Sequence, residues 1–189
     1  MNIAIIGSGI TGSLASISLA NSGCRIDLYE RLSDEVLINR DRTYAITHSS
    51  RRILEKLNIW SKASSDFVSF QHLNVVDHEL NDQVNFTIND LNNSDIKYSS
   101  IGWIARHDIL MSLLLDIISN NNNINKIPTS VINNAKNYDL IVVADGQNSK
   151  TKKKLNIPSI SFKYDQVCIT FKVLLRGVQS DEAFEILTS

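Results

Sequence analysis

The chain has little cysteine, no excess of charge of either sign and no long apolar run. Its two cysteines, Cys24 and Cys168, are far apart and form no C-x-x-C, which excludes a disulfide framework and points to reduced thiols. The four histidines, His48, His72, His78 and His107, show no paired ligand spacing, so no metal is expected. Lys and Arg number 19 against 20 Asp and Glu, a net charge of −1, and nothing marks a nucleic-acid binder. The one basic cluster, Lys150 with Lys152 to Lys154, reads as a solvated helix face rather than a phosphate track. No stretch reaches the roughly 18 apolar residues of a membrane-spanning helix. The N-terminal apolar run is broken by glycines and has no basic leader, so no signal peptide is expected. These absences predict a cytoplasmic protein, with peripheral contact at the inner face of a membrane left open. The 189 residues, 43% hydrophobic, suffice for one globular domain or a domain and part of another. Asparagine and isoleucine are abundant throughout, and the run Asn120 to Asn123 reads as compositional drift.

What is present begins at the N-terminus. Ile3 to Ile6 predict a buried parallel strand, followed by Gly7, Ser8, Gly9, Ile10, Thr11 and Gly12 and then a helical pattern from Thr11 to about Asn21. This is G-x-G-x-x-G between a strand and a helix. Gly7 permits the tight turn, Gly9 lets a pyrophosphate approach the backbone, and Gly12 lets the helix pack closely on the sheet. The unpaired N–H groups and positive end of the helix dipole then meet the phosphates. Leu14, Ile17 and Ala20 lie among the small residues Ser13, Ala15 and Ser16, and Gly23 is a C-cap glycine. A second strand, Arg25 to Tyr29, ends in Glu30, at the spacing of an acid that binds a ribose hydroxyl pair, with Arg31 beside it. A βαβ unit with an empty turn is the alternative. An acid at Glu30 suits FAD or NAD better than NADP, whose phosphate would face it.

Leu32 to Arg40 reads as a polar connection. Ser49 or Ser50 can cap a helix with Ile53, Leu54 and Leu57 on one face and Asn58 as its left-handed stop. Leu73 to Val76 and the alternating Val84, Phe86 and Ile88 predict strands. The segment 101–119 reads as a short strand entering a helix with Ile109, Leu110, Leu113, Leu114 and Ile117 on one face. Leu140 to Val143 predict a buried strand that Ala144, Asp145 and Gly146 end at its carboxyl side, where open α/β sheets bind ligands; Asp-Gly is also a plain turn. Val167, Ile169, Phe171 and Val173 alternate with Cys168, Thr170 and Lys172 as one half-buried strand.

Three of these stretches resemble the ubiquinone-biosynthesis hydroxylases, within the FAD-dependent aromatic monooxygenases related to para-hydroxybenzoate hydroxylase. The first is the glycine turn with Glu30. The second is the block from Arg42 through Ala45, Ser50, Arg51, Leu54 and Leu57 to Trp60, with Asn58 where the family has glycine. The third is the aliphatic strand, Ala144-Asp145-Gly146, then a serine, basic residues and Leu155. The resemblance implies an α/β fold, a Rossmann-like FAD-binding domain at 1–66 and 100–158, with the start of a β-rich substrate domain at 67–99 and 159–189. It implies that Gly7, Gly9, Ile10, Thr11, Gly12, Glu30, Arg31, Arg42, Asp145 and Gly146 serve the cofactor, Arg42 near the flavin end. Arg106 falls where many members have a flavin-contacting arginine, a surface position at the helix start being the alternative. Arg51 and Arg52 read as surface residues.

The implied activity is hydroxylation of an aromatic ring by FAD and O₂, with NADH or NADPH as transient reductant and a small aromatic or quinone-precursor substrate. Association with a membrane surface or with a ubiquinone-pathway complex belongs to the same expectation. Two departures stand out. Only the fragment Ile124 to Pro128 stands where the family usually carries extra strands, and the second, Gly-Asp FAD motif is absent. The resemblance covers about the N-terminal half of a family member, so the expectation is a C-terminally truncated chain. The alternatives are a non-catalytic FAD-binding remnant and another flavoprotein of the same architecture, such as a reductase or halogenase.

Overall fold

The computed structural model describes residues 1–92, 97–129, 131–132, 135–160, 162, 177 and 181–187. In chain order the elements are β1 (Asn2–Ile6), α1 (Ile10–Asn21), β2 (Arg25–Tyr29), α2 (Asp34–Ile38), β3 (Thr43–Ile46), α3 (His48–Lys56), α4 (Trp60–Ala63), β4 (Val68–Phe70), β5 (His72–Asp77) and β6 (Asp82–Thr87). They continue with α5 (Ile88–Leu91), β7 (Gly102–Arg106), α6 (His107–Ser119), β8 (Ile124–Ile127), β9 (Leu140–Val143), α7 (Lys150–Lys154) and β10 (Glu182–Leu187). The chain divides into two compact units, Met1–Asp41 with His107–Ile169 and Arg42–Arg106 with Thr170–Ser189.

The first unit is built on a four-stranded, all-parallel sheet in the order β8-β2-β1-β9. Ile3 pairs with Ile26 and Ile5 with Leu28, so four fully buried side chains line one face. At about 1.5–3 kcal/mol for each fully buried aliphatic side chain, that stripe fixes the register. α1 buries Gly12, Ser13, Ser16, Ile17 and Ala20, small residues with one large anchor, while Leu14 and Ala15 of the predicted set are only half-buried. Gly23, with φ +83°, follows its C-cap Ser22.

α6 packs on α1 and α2, burying Leu110, Met111, Leu114, Leu115 and Ile118. This face is rotated by about one residue from the predicted one, and Ile109, Leu113 and Ile117 are only half-buried. The stretch predicted as a polar connection contains α2: the Ser33 hydroxyl accepts from Val36 N–H at its start, and Leu37 packs with Met111 and Leu115. His107 is buried, and its Nε2 lies 2.7 Å from the Leu37 carbonyl. Ile124 to Ile127, read as a residual fragment, form β8, the outer strand beside β2.

On the opposite face of the sheet, which also carries the buried Ala4 and Ile6, a polar network joins the strands. The Tyr138 hydroxyl donates to Asp27 at 2.5 Å and lies 2.7 Å from the Tyr29 hydroxyl, while Asn125 donates to the other Asp27 oxygen at 3.0 Å. Burial, then the hydrogen bonds to Asp27 and Tyr29, push the Tyr138 phenol pKa up. β9 departs from expectation. It pairs with β1 as predicted for a strand, yet Leu140, Ile141 and Val143 are 43%, 36% and 37% exposed because it is an edge.

The second unit holds an antiparallel sheet, β3-β7-β4, and a sheet β10-β5-β6 in which β10 runs parallel to β5 and β6 antiparallel to it. The predicted strands at Leu73 to Val76 and Val84 to Phe86 are β5 and β6, and Ile88 begins α5 instead of extending β6. α3 is capped by Thr47, whose hydroxyl accepts from Ser50 N–H, rather than by Ser49 or Ser50. Asn58, at φ +56°, stops it as predicted. Arg51 is not a plain surface residue. It pairs with Glu55 at 2.7 Å, and its guanidinium carbon lies 5.0 Å from both the Trp60 and Trp103 rings. Contacts of this type contribute about 0.5–1 kcal/mol at exposed sites. The strand predicted from Val167 to Val173 lies outside the described residues.

Candidate dinucleotide site

The carboxyl ends of β1, β2 and β9 meet at the glycine turn. Gly7 has φ +98°, and its N–H donates to the Tyr29 carbonyl at 2.8 Å, which ties the turn to β2. A Cβ there would come 2.5 Å from the Ala144 carbonyl oxygen, and a Cβ on Gly12 would overlap the Gly7 carbonyl oxygen. Both glycines are required by the protein's own packing. Gly9 differs: its φ is −62°, and a Cβ built on it meets nothing within 4 Å. The turn therefore presents open space at Gly9.

That space borders the start of α1. Gly9 is the N-cap and no side chain caps the helix, so the first-turn N–H groups of Ile10, Thr11 and Gly12 have no intrahelical acceptor. These donors and the helix dipole form an anion-binding end without a cationic side chain.

Glu30 lies beside this end. One carboxylate oxygen accepts from Ser8 N–H at 3.0 Å, and the other from Arg31 and Leu32 N–H at 2.8 and 3.0 Å. Arg31 contributes its backbone to this clamp, and the residue is exposed. Glu30→Ala is expected to weaken FAD binding by about 1–3 kcal/mol, the cost of losing a charge-assisted acceptor and leaving its donors unpaired. Fluorescence titration of the apoprotein measures it, and an unchanged dissociation constant would place the ribose elsewhere.

Asp145 enters from the end of β9. One of its oxygens accepts from Thr151 N–H at 3.1 Å; the other is buried with no hydrogen-bond partner, as is the Ser8 hydroxyl. Buried polar atoms are ordinarily paired, so both are candidates for pairing with a ligand. Burial pushes the Asp145 carboxyl pKa up, but hydrogen bonds from Ser149 and Thr151 outweigh it and the net shift is downward. The ionised form is thus favoured in the folded state. A carboxyl held below its unfolded pKa contributes stability that is present above the unfolded value and lost as pH falls through the folded one. Melting temperatures taken from pH 6 down through the ordinary carboxylate pKa, about 4, should fall more steeply for the parent protein than for Asp145→Asn. Parallel curves would show that Asp145 carries no such linkage.

Gly7, Gly9, Ile10, Thr11, Gly12, Glu30, Asp145 and Gly146 thus lie at neighbouring strand ends of the first unit. Arg42 and Arg106 lie in the second unit, where Thr43 pairs with Arg106 across β3 and β7, which puts both arginines at one end of that ladder. Sequence reasoning missed Ser8 and Ser13. Both are buried, and Ser13 Oγ donates to the Ser8 carbonyl at 2.9 Å. Small residues at a helix start were legible for their volume but not for their hydroxyls. Among the described residues, no group of three or more His, Cys, Asp or Glu side chains could hold a metal ion, and no helix is long and apolar enough to cross a membrane.

The mitochondrial ubiquinone biosynthesis monooxygenase COQ6 of Dictyostelium discoideum is 23% identical over 95% of this chain and 44% of its own length. The ubiquinone hydroxylase UbiM of Neisseria meningitidis is 23% identical over 87% of the chain and 40% of its own. The chain is similar, over less than half of their length, to ubiquinone-biosynthesis monooxygenases and, in fold, to FAD-dependent monooxygenases. An uncharacterized protein of Synechocystis is 23% identical over 97% of the chain and 48% of its own length. Among solved structures, PqsL of Pseudomonas aeruginosa in complex with 2-aminobenzoylacetate superposes with a TM-score of 0.64 at 15% identity, covering 87% of this chain and 48% of that one. The p-nitrophenol 4-monooxygenase PnpA of Pseudomonas putida gives 0.55 at 12% identity, covering 66% and 31%. No family model matches the sequence. The chain spans less than half the length of these curated relatives.

Proposed function

We propose that this chain is the FAD-holding part of a monooxygenase that hydroxylates an aromatic ring, with a ubiquinone precursor as the substrate class. The observation that carries the reading is the open space at Gly9 beside uncapped helix donors and the Ser8 N–H held by Glu30, with a buried, unpaired Asp145 oxygen near Gly7. These residues fit the adenosine diphosphate portion of FAD in charge and donor type. The α1 N–H groups and Gly9 take the diphosphate, Glu30 takes ribose hydroxyls, and Asp145 with Ser8 supplies further polar contacts. Glu30 disfavours a phosphorylated adenosine ribose, which speaks for FAD over NADP as the resident group. When bound, FAD supplies the redox chemistry, with NADH or NADPH as electron source and O₂ as oxidant. In this reading the first unit binds the cofactor.

The test is reconstitution. Purified protein incubated with FAD, NAD or NADP and then desalted should retain FAD, with a flavin absorbance spectrum and quenched flavin fluorescence. Retention of NAD without flavin would overturn the proposal. Reduced nicotinamide, O₂ and phenolic quinone precursors then distinguish a hydroxylase from a protein that only stores FAD, with hydroxylated product counted against peroxide.

A further inference from the structure

We infer that Ser13 is a positioning residue: it holds the two peptides flanking Gly9 so that their N–H groups face the diphosphate position. The inference rests on the FAD reading of this site and adds a residue to it. Ser13 makes two bonds back into the turn. Its hydroxyl donates to the Ser8 carbonyl at 2.9 Å, and its own N–H donates to the Gly9 carbonyl at 2.9 Å. Both serines are fully buried. A trans peptide is planar, and its C=O and N–H point in opposite directions. Tethering the Ser8 oxygen to Ser13 therefore turns the Gly9 N–H away from Ser13, and tethering the Gly9 oxygen does the same for the Ile10 N–H. Those two donors face outward where a Cβ on Gly9 would meet nothing within 4 Å.

The Ser8 tether is the vulnerable one, because it depends on a side chain. The neighbouring Ser8 N–H is already committed to Glu30 at 3.0 Å, so the turn is fixed from two sides before any ligand arrives. Preorganised donors spare a ligand the cost of ordering them. Ser13→Ala keeps the backbone bond, removes the hydroxyl and lets the Ser8–Gly9 peptide rotate.

Ser16 provides the control. Its hydroxyl is equally buried and donates to the Gly12 carbonyl at 2.7 Å, four residues back along the same helix, so it orients no turn peptide. In the purified protein, Ser13→Ala should weaken FAD binding roughly tenfold, the scale of one hydrogen bond, while Ser16→Ala changes it less than about twofold. Ser13→Cys, which keeps the volume but has a weak donor, should fall between them. In ¹H–¹⁵N spectra of the ligand-free protein, the Gly9 amide resonance should shift or broaden in Ser13→Ala and stay in place in Ser16→Ala. Equal losses for Ser13→Ala and Ser16→Ala, or no loss for Ser13→Ala, would overturn the inference. If the parent protein takes up no FAD, the FAD reading fails, and the Gly9 amide decides the positioning role: movement in Ser13→Ala alone supports it, and an unmoved resonance overturns it. Should Ser13→Ala not fold, the same two measurements on Ser13→Cys decide in the same way.

Discussion

Gly9→Asp is expected to leave the free protein as stable as the parent, or slightly more so, and to abolish FAD retention. The two effects have separate causes. Gly9 is the N-cap of α1 with φ −62° and ψ 178°, an extended conformation open to any residue, and a Cβ there meets nothing. Aspartate is a preferred N-cap and its charge suits the positive helix end, so stability should rise by a few tenths to about 1 kcal/mol. The same carboxylate would sit at the position proposed above for the diphosphate. Two like charges about 4 Å apart cost about 4 kcal/mol at an effective dielectric near 20, which is roughly a thousandfold in affinity. A melting curve and a flavin titration together check it. Retention of FAD within about threefold of the parent would show that no phosphate approaches Gly9.

Gly12→Ala should behave in the opposite way, unfolding the turn before any ligand is considered. The added methyl overlaps the Gly7 carbonyl oxygen and comes within 3.4 Å of the Ala144 side chain. The first obstacle is backbone, so relief requires moving α1 off the turn. Overpacking of a rigid contact costs about 1–3 kcal/mol and occasionally more. We expect a loss of about 3 kcal/mol, a drop of roughly 6–12 °C in melting temperature for a chain of this size. FAD binding should be lost with it. Unchanged melting would mean that α1 and the turn can separate without penalty.

The parts of this site that were legible in the sequence are those whose chemistry is local. The β1–turn–α1 unit and the spacing to Glu30 follow from period, glycine and acid alone. α2 was hidden because its five residues are too few to show a helical period, although Ser33 followed by Asp34 and Glu35 is a capping signature. The α6 face was misread because Ile109 to Ile118 is almost continuously apolar, and only its packing partners decide between two adjacent stripes. The edge position of β9 was illegible for a related reason: four aliphatic residues specify a strand but not what lies beside it. The Glu30 clamp on Ser8 and the Ser13 tether are contacts of orientation, which no spacing rule encodes.

The pairing of β1 with β9 has a consequence in time. The residues that look most like a finished site, Gly7 to Glu30, are synthesised well before the strand that walls the turn, for Gly7 closes against Ala144 and Asp145. At about 5–20 residues per second, a ribosome delivers that partner strand roughly 6–23 s after Glu30. Throughout that interval β1 exposes one whole edge and the turn lacks its wall, and such distant pairings are also the slow step of folding in general. The glycine signature is therefore complete long before the turn has its wall, and the turn closes only when the later segment arrives.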